Sequence, residues 1–384
     1  MTSYKIELFC CHKMSIAKPY DDPKWERLRT VRLLGSGMMG SVYLTELPDD
    51  TQKYIVKIGK FFPADLKCGT KNFEGGTIWR TLLFYTTMAK KNKKIFRTWT
   101  IDYKIIDNCN DFKINRTKFK HPGDHGFWWS QMNEKGKRFH LKLAKSKYCL
   151  FSIQPFIANN GSLGDLLHNL HLQLRSEDNN PPPITIKPRM PFTKRAFYGW
   201  IATLMTQMYA MRKLNCTHGD VHPWNTLIIP GGCTFIDYSP IYHGYGKNWK
   251  SRCDDDIKAL LNFMFITNHY DEHCRLNKIY GDKKYPIGYK EGQKDIKRFR
   301  STNKYREIAA MIPGVPKSVL DPIVFMLAEM MFPNIVKLVT IPMFATEAVW
   351  HEIWLIEQDD VILFLNNAFS ERGLDLVAKK FSKY

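Results

Sequence analysis

The chain has 384 residues, 44% hydrophobic and 24% charged, a balance that supports a packed core and excludes a disordered chain. A formal net charge of +20 favours acidic partners such as nucleic acid, acidic protein segments or anionic membrane, but says nothing about fold. The longest apolar stretch, residues 323–344, is broken by Glu329, Pro333, Asn334, Lys337 and Pro342, so it reads as buried core and no transmembrane segment is expected.

Residues 1–30 read as an extension ahead of the fold, without a signal-peptide pattern. Cys10-Cys11-His12 is the one tight cluster of metal-ligand types among nine cysteines, and no second ligand pair at finger spacing accompanies it. Reduced thiols are therefore expected. A first region, 31–156, opens with strand patterns at Val31–Leu34 and Ser41–Leu44, and Tyr54–Ile58 alternates as a third strand, so an antiparallel sheet is the economical reading. Ile78 to Ala89 has helical spacing. Lys90, Lys91, Lys93, Lys94 and Arg97 form a basic run, and a basic, aromatic insertion occupies about 104–146. Tyr148–Phe156 reads as a strand ending at a hinge. In the second region, 157–384, Gly161–Leu167 resembles a helix start, 176–191 a surface loop, and Phe192–Leu214 a long helix capped near Thr193. Two short strands, Leu227–Ile229 and Thr234–Ile236, precede a mainly helical remainder.

The chemistry concentrates in two places. His218-Gly219-Asp220-Val221-His222-Pro223-Trp224-Asn225 places an Asn five positions after an Asp, and Phe235-Ile236-Asp237 sets a second Asp behind an apolar run. In phosphoryl transfer such a set supplies a carboxylate base, Asp220, and two oxygen ligands for Mg²⁺, Asn225 and Asp237. Upstream, Gly35-Ser36-Gly37-Met38-Met39-Gly40-Ser41-Val42 sits between two strands as a phosphate-covering loop, and Lys57 follows Gly40 by 17 positions on the next strand. Each residue alone has an ordinary reading: a turn cap, a tight turn, an exposed strand lysine. Their joint spacing is what points to ATP and Mg²⁺.

These motifs resemble the protein kinase superfamily, and most closely the casein kinase and vaccinia-related kinase group. His218-Gly219-Asp220 and Ile236-Asp237-Tyr238 are similar to that group's His-Gly-Asp and Val-Asp-Tyr-Gly, and Ser251-Arg252-Cys253-Asp254-Asp255-Asp256 to its Ser-Arg-Arg-x-Asp segment. Leu83-Phe84-Tyr85 also resembles its third-helix sequence. The resemblance covers roughly 31–270 and implies an α+β, two-lobed protein-kinase-like fold, with an antiparallel β N-lobe over 31–156 and a mainly helical C-lobe over 157–384. It implies Ser/Thr protein phosphorylation with ATP and Mg²⁺. Lys57, Gly35, Ser36, Gly37, Gly40 and Val42 would hold the nucleotide, and His218 and Asp256 would support the catalytic loop, Asp256 from a helix start.

Four departures keep other functions open. His222 stands where the family has a lysine, and His-Gly-Asp-x-His-Pro-x-Asn looks like aminoglycoside and choline phosphotransferases, which use small-molecule acceptors. Alignment puts Thr81 where the third-helix Glu belongs, with Glu74 the nearest acid. Ser239 replaces a Gly and forgoes its freedom for positive φ. Asp256 follows Asp237 by only 19 positions, a short segment for binding a peptide. A pseudokinase that binds ATP or a partner protein and a small-molecule phosphotransferase are thus the alternatives. The basic surface is expected to give weak nucleic-acid or acidic-partner binding, with Trp99, Trp128 and Trp129 either stacking bases or covering the insertion's own core. An intracellular setting, in host cytoplasm, nucleus or virion, and a large DNA virus as source complete the expectations.

Overall fold

The structure is a computed structural model that describes residues 23–36, 40–66, 76–106, 113–114, 117–118, 134–166, 193–243, 249–261, 264, 299–317, 320–321, 323–324, 327, 358–370 and 372–384. It is mixed α/β, with an antiparallel sheet and helices. The chain divides into two compact units, one of Met1–Ala158 with Tyr238–Trp249, the other of Asn159–Asp237 with Lys250–Tyr384. Cys10–His12, Gly37, Glu74, the Trp128–Trp129 pair, the loop 176–191 and most of 323–344 lie outside the described residues.

The first unit is built on five strands: β1 (Arg29–Ser36), β2 (Gly40–Glu46), β3 (Lys53–Lys60), β4 (Asp102–Ile106) and β5 (Cys149–Pro155). Their order is β1-β2-β3-β5-β4, and every neighbouring pair is antiparallel. Alternation fixes the faces: Tyr54, Val56 and Ile58 are buried on one side of β3, while Ile55, Lys57 and Gly59 lie on the half-buried side. The buried side joins Phe151 and Ile153 of β5 in a core that also takes Trp25 and Leu28. Ordered structure therefore begins ahead of residue 31, because the Trp25 ring packs edge-on against Tyr54 at 5.4 Å. The basic insertion contains a helix, α2 (Glu134–Ala144), that the sequence reading did not foresee. It is tied to the end of β3: Lys60 Nζ donates to the Ala144 carbonyl at 2.6 Å, and Ser146 to the Phe61 carbonyl at 2.6 Å. Helix α1 (Thr77–Leu83) continues through a π turn, Phe84–Met88, into a last α turn, Ala89–Lys91.

In the second unit α3 (Lys194–Lys213) starts where Thr193 accepts a hydrogen bond from the Ala196 N–H, the side-chain cap expected there. It carries the hairpin β6 (Thr226–Ile229) and β7 (Gly232–Phe235) on one side. Among the described residues, further helices of this unit include α4 (Trp249–Leu261), α5 (Asn303–Met311), α6 (Gln358–Asn367) and α7 (Gly373–Phe381). The chain end closes back on α3: Tyr198 stacks with Phe381 at 5.0 Å and with Tyr384 at 4.5 Å, and its hydroxyl donates to buried Asp360. Cys216, Cys233 and Cys253 are free and buried, whereas Cys149 is disulfide-bonded, a departure from the expectation of reduced thiols throughout. Among the described residues no helix is long and apolar enough to cross a membrane.

Candidate active site

The loop that follows α3 is set by how that helix ends. Asn215 takes φ 54°, the Asn215 N–H donates to Arg212 O at 2.9 Å, and the Cys216 N–H to Met211 O at 2.9 Å. This paired closure satisfies the last carbonyls with a left-handed residue, and Asn is among the few non-glycines that tolerate it. The chain then turns sharply into Cys216, Thr217 and His218, all buried.

Asp256 organises what comes next. Its carboxylate accepts the His218 N–H at 2.6 Å and the Gly219 N–H at 3.0 Å. Gly219 sits at φ 80°, a conformation that would strain any side chain. Asp256 does not start its helix: α4 begins at Trp249, so the residue reaches the loop from two turns inside. Burial pushes its carboxyl up to about 7 against the downward pull of the two N–H groups, with Asp255 and Asp220 adding to the rise. His218 is fully enclosed and its ring packs on Phe235 at 4.8 Å. Its Nδ1 accepts the Asp220 N–H at 3.2 Å. Burial drives its pKa down to about 3, partly offset by Asp237 and a backbone hydrogen bond with Ile236, so the ring is neutral and structural.

Asp220 is exposed and is gripped from one side. Asn225 Nδ2 donates to the Asp220 carbonyl at 3.1 Å and to its Oδ2 at 3.0 Å. With both amide hydrogens directed at Asp220, Asn225 turns Oδ1 the other way. His222 caps the short 3₁₀ turn Pro223–Asn225: its Nδ1 accepts the Asn225 N–H at 3.2 Å, which leaves the proton on Nε2, 3.9 Å from Asp220 Oδ2. Burial lowers the His222 pKa, while Asp220 and Asp237 pull it up.

The Ile236 N–H donates to Asn225 O at 2.9 Å, which fastens the segment before Asp237 to the loop. Asp237 is half-buried and adopts φ 55°, so the left-handed residue here is the aspartate and not Ser239. Buried Gln207 of α3 aligns this strand. Its Nε2 donates to Cys233 O at 3.0 Å, and its Oε1 accepts the Phe235 N–H at 3.0 Å and the Thr234 hydroxyl at 3.2 Å. Thr203, one turn earlier, accepts the Cys233 N–H at 2.9 Å. Sequence reasoning missed both; the available signal was a Gln and a Thr four apart on an otherwise apolar helix.

In the first unit Gly35, Val42 and Lys57 fall in one cross-strand row: Gly35 pairs with Val42, and Val42 with Lys57. Ser36 ends β1 and Gly40 opens β2. A Cβ on Gly40 would lie 2.1 Å from the Ile58 carbonyl oxygen, so the close approach of β2 to β3 already requires glycine there. Thr81 makes no acid partner for a lysine; its hydroxyl donates to the Tyr238 carbonyl at 3.4 Å. Among the described residues no three His, Cys, Asp or Glu side chains gather as a metal site; the hard oxygens this segment could offer a cation are the Asp237 carboxylate and the Asn225 amide oxygen. No protein-family model matches the chain, and a search of curated proteins finds no match either.

Proposed function

We propose that the protein is a divergent Ser/Thr protein kinase with a two-lobed kinase-like fold, transferring the γ-phosphate of ATP to a protein hydroxyl with Mg²⁺. The observation that carries this reading is the fixed pairing of Asn225 with Asp220, in a loop whose backbone is held by Asp256. Such an arrangement orients one carboxylate as a base and one amide oxygen as a metal ligand before any substrate arrives, and positioning is most of what this reaction asks of a protein. Asn225 and Asp237 supply hard oxygens of the kind Mg²⁺ takes. Bound there, the ion would neutralise phosphate charge. Asp220 would accept the hydroxyl proton as the acceptor oxygen bonds to phosphorus and ADP departs. Lys57 and the Gly35–Val42 loop would hold the phosphates.

A second reading, transfer to a small-molecule alcohol, is supported by His222. A neutral imidazole capping a turn stands where a lysine would supply a fixed charge near a peptide acceptor. An acceptor screen with labelled ATP separates the two: acidic and basic proteins in one arm; a choline, sugar and aminoglycoside panel in the other. Transfer to proteins alone supports the kinase. Transfer to a small alcohol alone selects the second reading. No transfer to any acceptor and no autophosphorylation contradicts both and leaves an ATP-binding scaffold.

A further inference from the structure

Helix α2 turns an apolar side chain outward among cations. Its inner side is set by Leu143, which is fully buried, and by Phe139, whose ring packs edge-on against Phe62 at 5.6 Å. Leu141 lies two positions before Leu143, so it points about 200° around the helix from it. It is 52% exposed, and Phe139, at the margin of the inner side, is still 43% exposed. Arg138 stands three positions before Leu141 and Lys145 four after, on the same face, with Lys142 beside it; all three are exposed. Residues 135–147 contain no Asp or Glu, and Glu134, ahead of them, is taken by Lys137 at 3.2 Å. The far end of the helix is fixed. The Lys145 N–H donates to Lys142 O at 3.1 Å and the Ser146 N–H to Leu143 O at 2.9 Å, while Lys60 holds the Ala144 carbonyl at 2.6 Å. The outer face is therefore presented by an anchored helix.

We propose that this face docks the protein on an anionic lipid bilayer. Leu141 enters the boundary between headgroups and acyl chains, and Arg138, Lys142 and Lys145 meet the negative headgroups around it. Charge selects an acidic surface, and the leucine selects among acidic surfaces. A nucleic-acid backbone offers phosphates but leaves an outward aliphatic side chain in water, whereas a bilayer offers anionic headgroups and an apolar layer directly beneath them. The long stems of the cations lie along that apolar layer while their heads stay at the headgroups. None of these residues belongs to the set assigned to nucleotide or metal binding, so the two readings fail independently.

The test is co-sedimentation of the full chain with vesicles of phosphatidylcholine alone and of phosphatidylcholine with phosphatidylserine, with thermal unfolding recorded in parallel. Wild type should sediment with the phosphatidylserine vesicles and not with the neutral ones. Leu141→Ser should weaken that binding by about tenfold, because one leucine leaves the apolar layer. Leu141→Phe should retain it. Lys142→Ala combined with Lys145→Ala should weaken it by more than about tenfold. Lys90→Ala combined with Lys94→Ala removes the same charge from exposed positions of the other basic run and should move it far less. All the replaced side chains are exposed, so unfolding midpoints should stay near wild type. Wild type that stays in solution with phosphatidylserine vesicles at low salt overturns the proposal, as does undiminished binding by Leu141→Ser or an equal loss in the two lysine pairs. Single-stranded DNA or polyglutamate bound through Lys142 and Lys145, without vesicle binding, would assign the face to a nucleic acid or an acidic protein segment instead.

Discussion

Replacing Gln207 by Met tests how the Asp237-bearing strand is held. Met keeps the volume of the side chain and removes its polar end. In the native protein that end makes two hydrogen bonds to the β7 backbone and one to the Thr234 hydroxyl, all among atoms shut off from water. Its bond to Thr203 O lies within α3 and is cheap to lose. The variant orphans the Phe235 N–H and one bond to Cys233 O, and the Thr234 hydroxyl keeps a long contact to Phe235 O at 3.5 Å. At about 1–3 kcal/mol for each buried group left unpaired, the loss should be roughly 3–5 kcal/mol. Urea unfolding followed by tryptophan fluorescence measures it. Asp237 lies two residues beyond Phe235, so the surviving folded protein should also need more Mg²⁺ to bind ATP. A loss under about 1 kcal/mol would refute the reasoning, since it would mean that water or a rearranged hairpin satisfies these groups.

Other perturbations follow from the same geometry. Asp256→Asn should alter the pH dependence of stability: the native carboxyl, pushed up from 3.8 to about 7, keeps its proton where the unfolded chain has lost it. That contribution is complete below about 3.8 and is lost as pH rises through 7, so wild type should lose stability relative to the variant by roughly 1.4 kcal/mol per pH unit inside that window. Parallel curves would refute it, and wild type gaining with pH would mean that the His218 and Gly219 N–H groups hold the carboxylate ionised. Trp25→Ala should cost about 3–5 kcal/mol in thermal or urea unfolding, because a buried ring in the first unit's core is deleted; a near-neutral effect would return these residues to a loose extension. If the basic surface binds single-stranded DNA, affinity should fall steeply between low and moderate salt, and absence of binding at low salt ends that expectation.

The strands at 41–44, 54–58 and 148–156 were legible because alternating apolar residues face one core, and α3 because a Thr cap precedes a long apolar helix. The loop from His218 to Asn225 was legible as a spacing, since residues five apart on a tight turn meet locally. What escaped was tertiary. Helix α2 has no apolar stripe clear enough to mark it in sequence and is tied down from elsewhere, by Lys60 at the Ala144 carbonyl and by the Phe61 carbonyl that accepts from Ser146 just past the helix. Asp256 was visible as a residue but not as one inside a helix, because nothing before Trp249 signals its start. The sequence showed Ser239 giving up a glycine's freedom but not that Asp237 takes the left-handed backbone, and the partner of Thr81 is a backbone carbonyl 157 positions away. Spacing within a segment cannot reveal either.

The central claim is that Asp220 serves as the base in phosphoryl transfer. The most direct measurement is the rate of γ-phosphate transfer from labelled ATP with Mg²⁺, comparing wild type with Asp220→Ala and Asp220→Asn prepared identically. The account predicts transfer by the wild type and a loss of about 10²–10⁴-fold in both variants, with unfolding midpoints close to wild type because Asp220 is exposed. Equal transfer by all three proteins would contradict it.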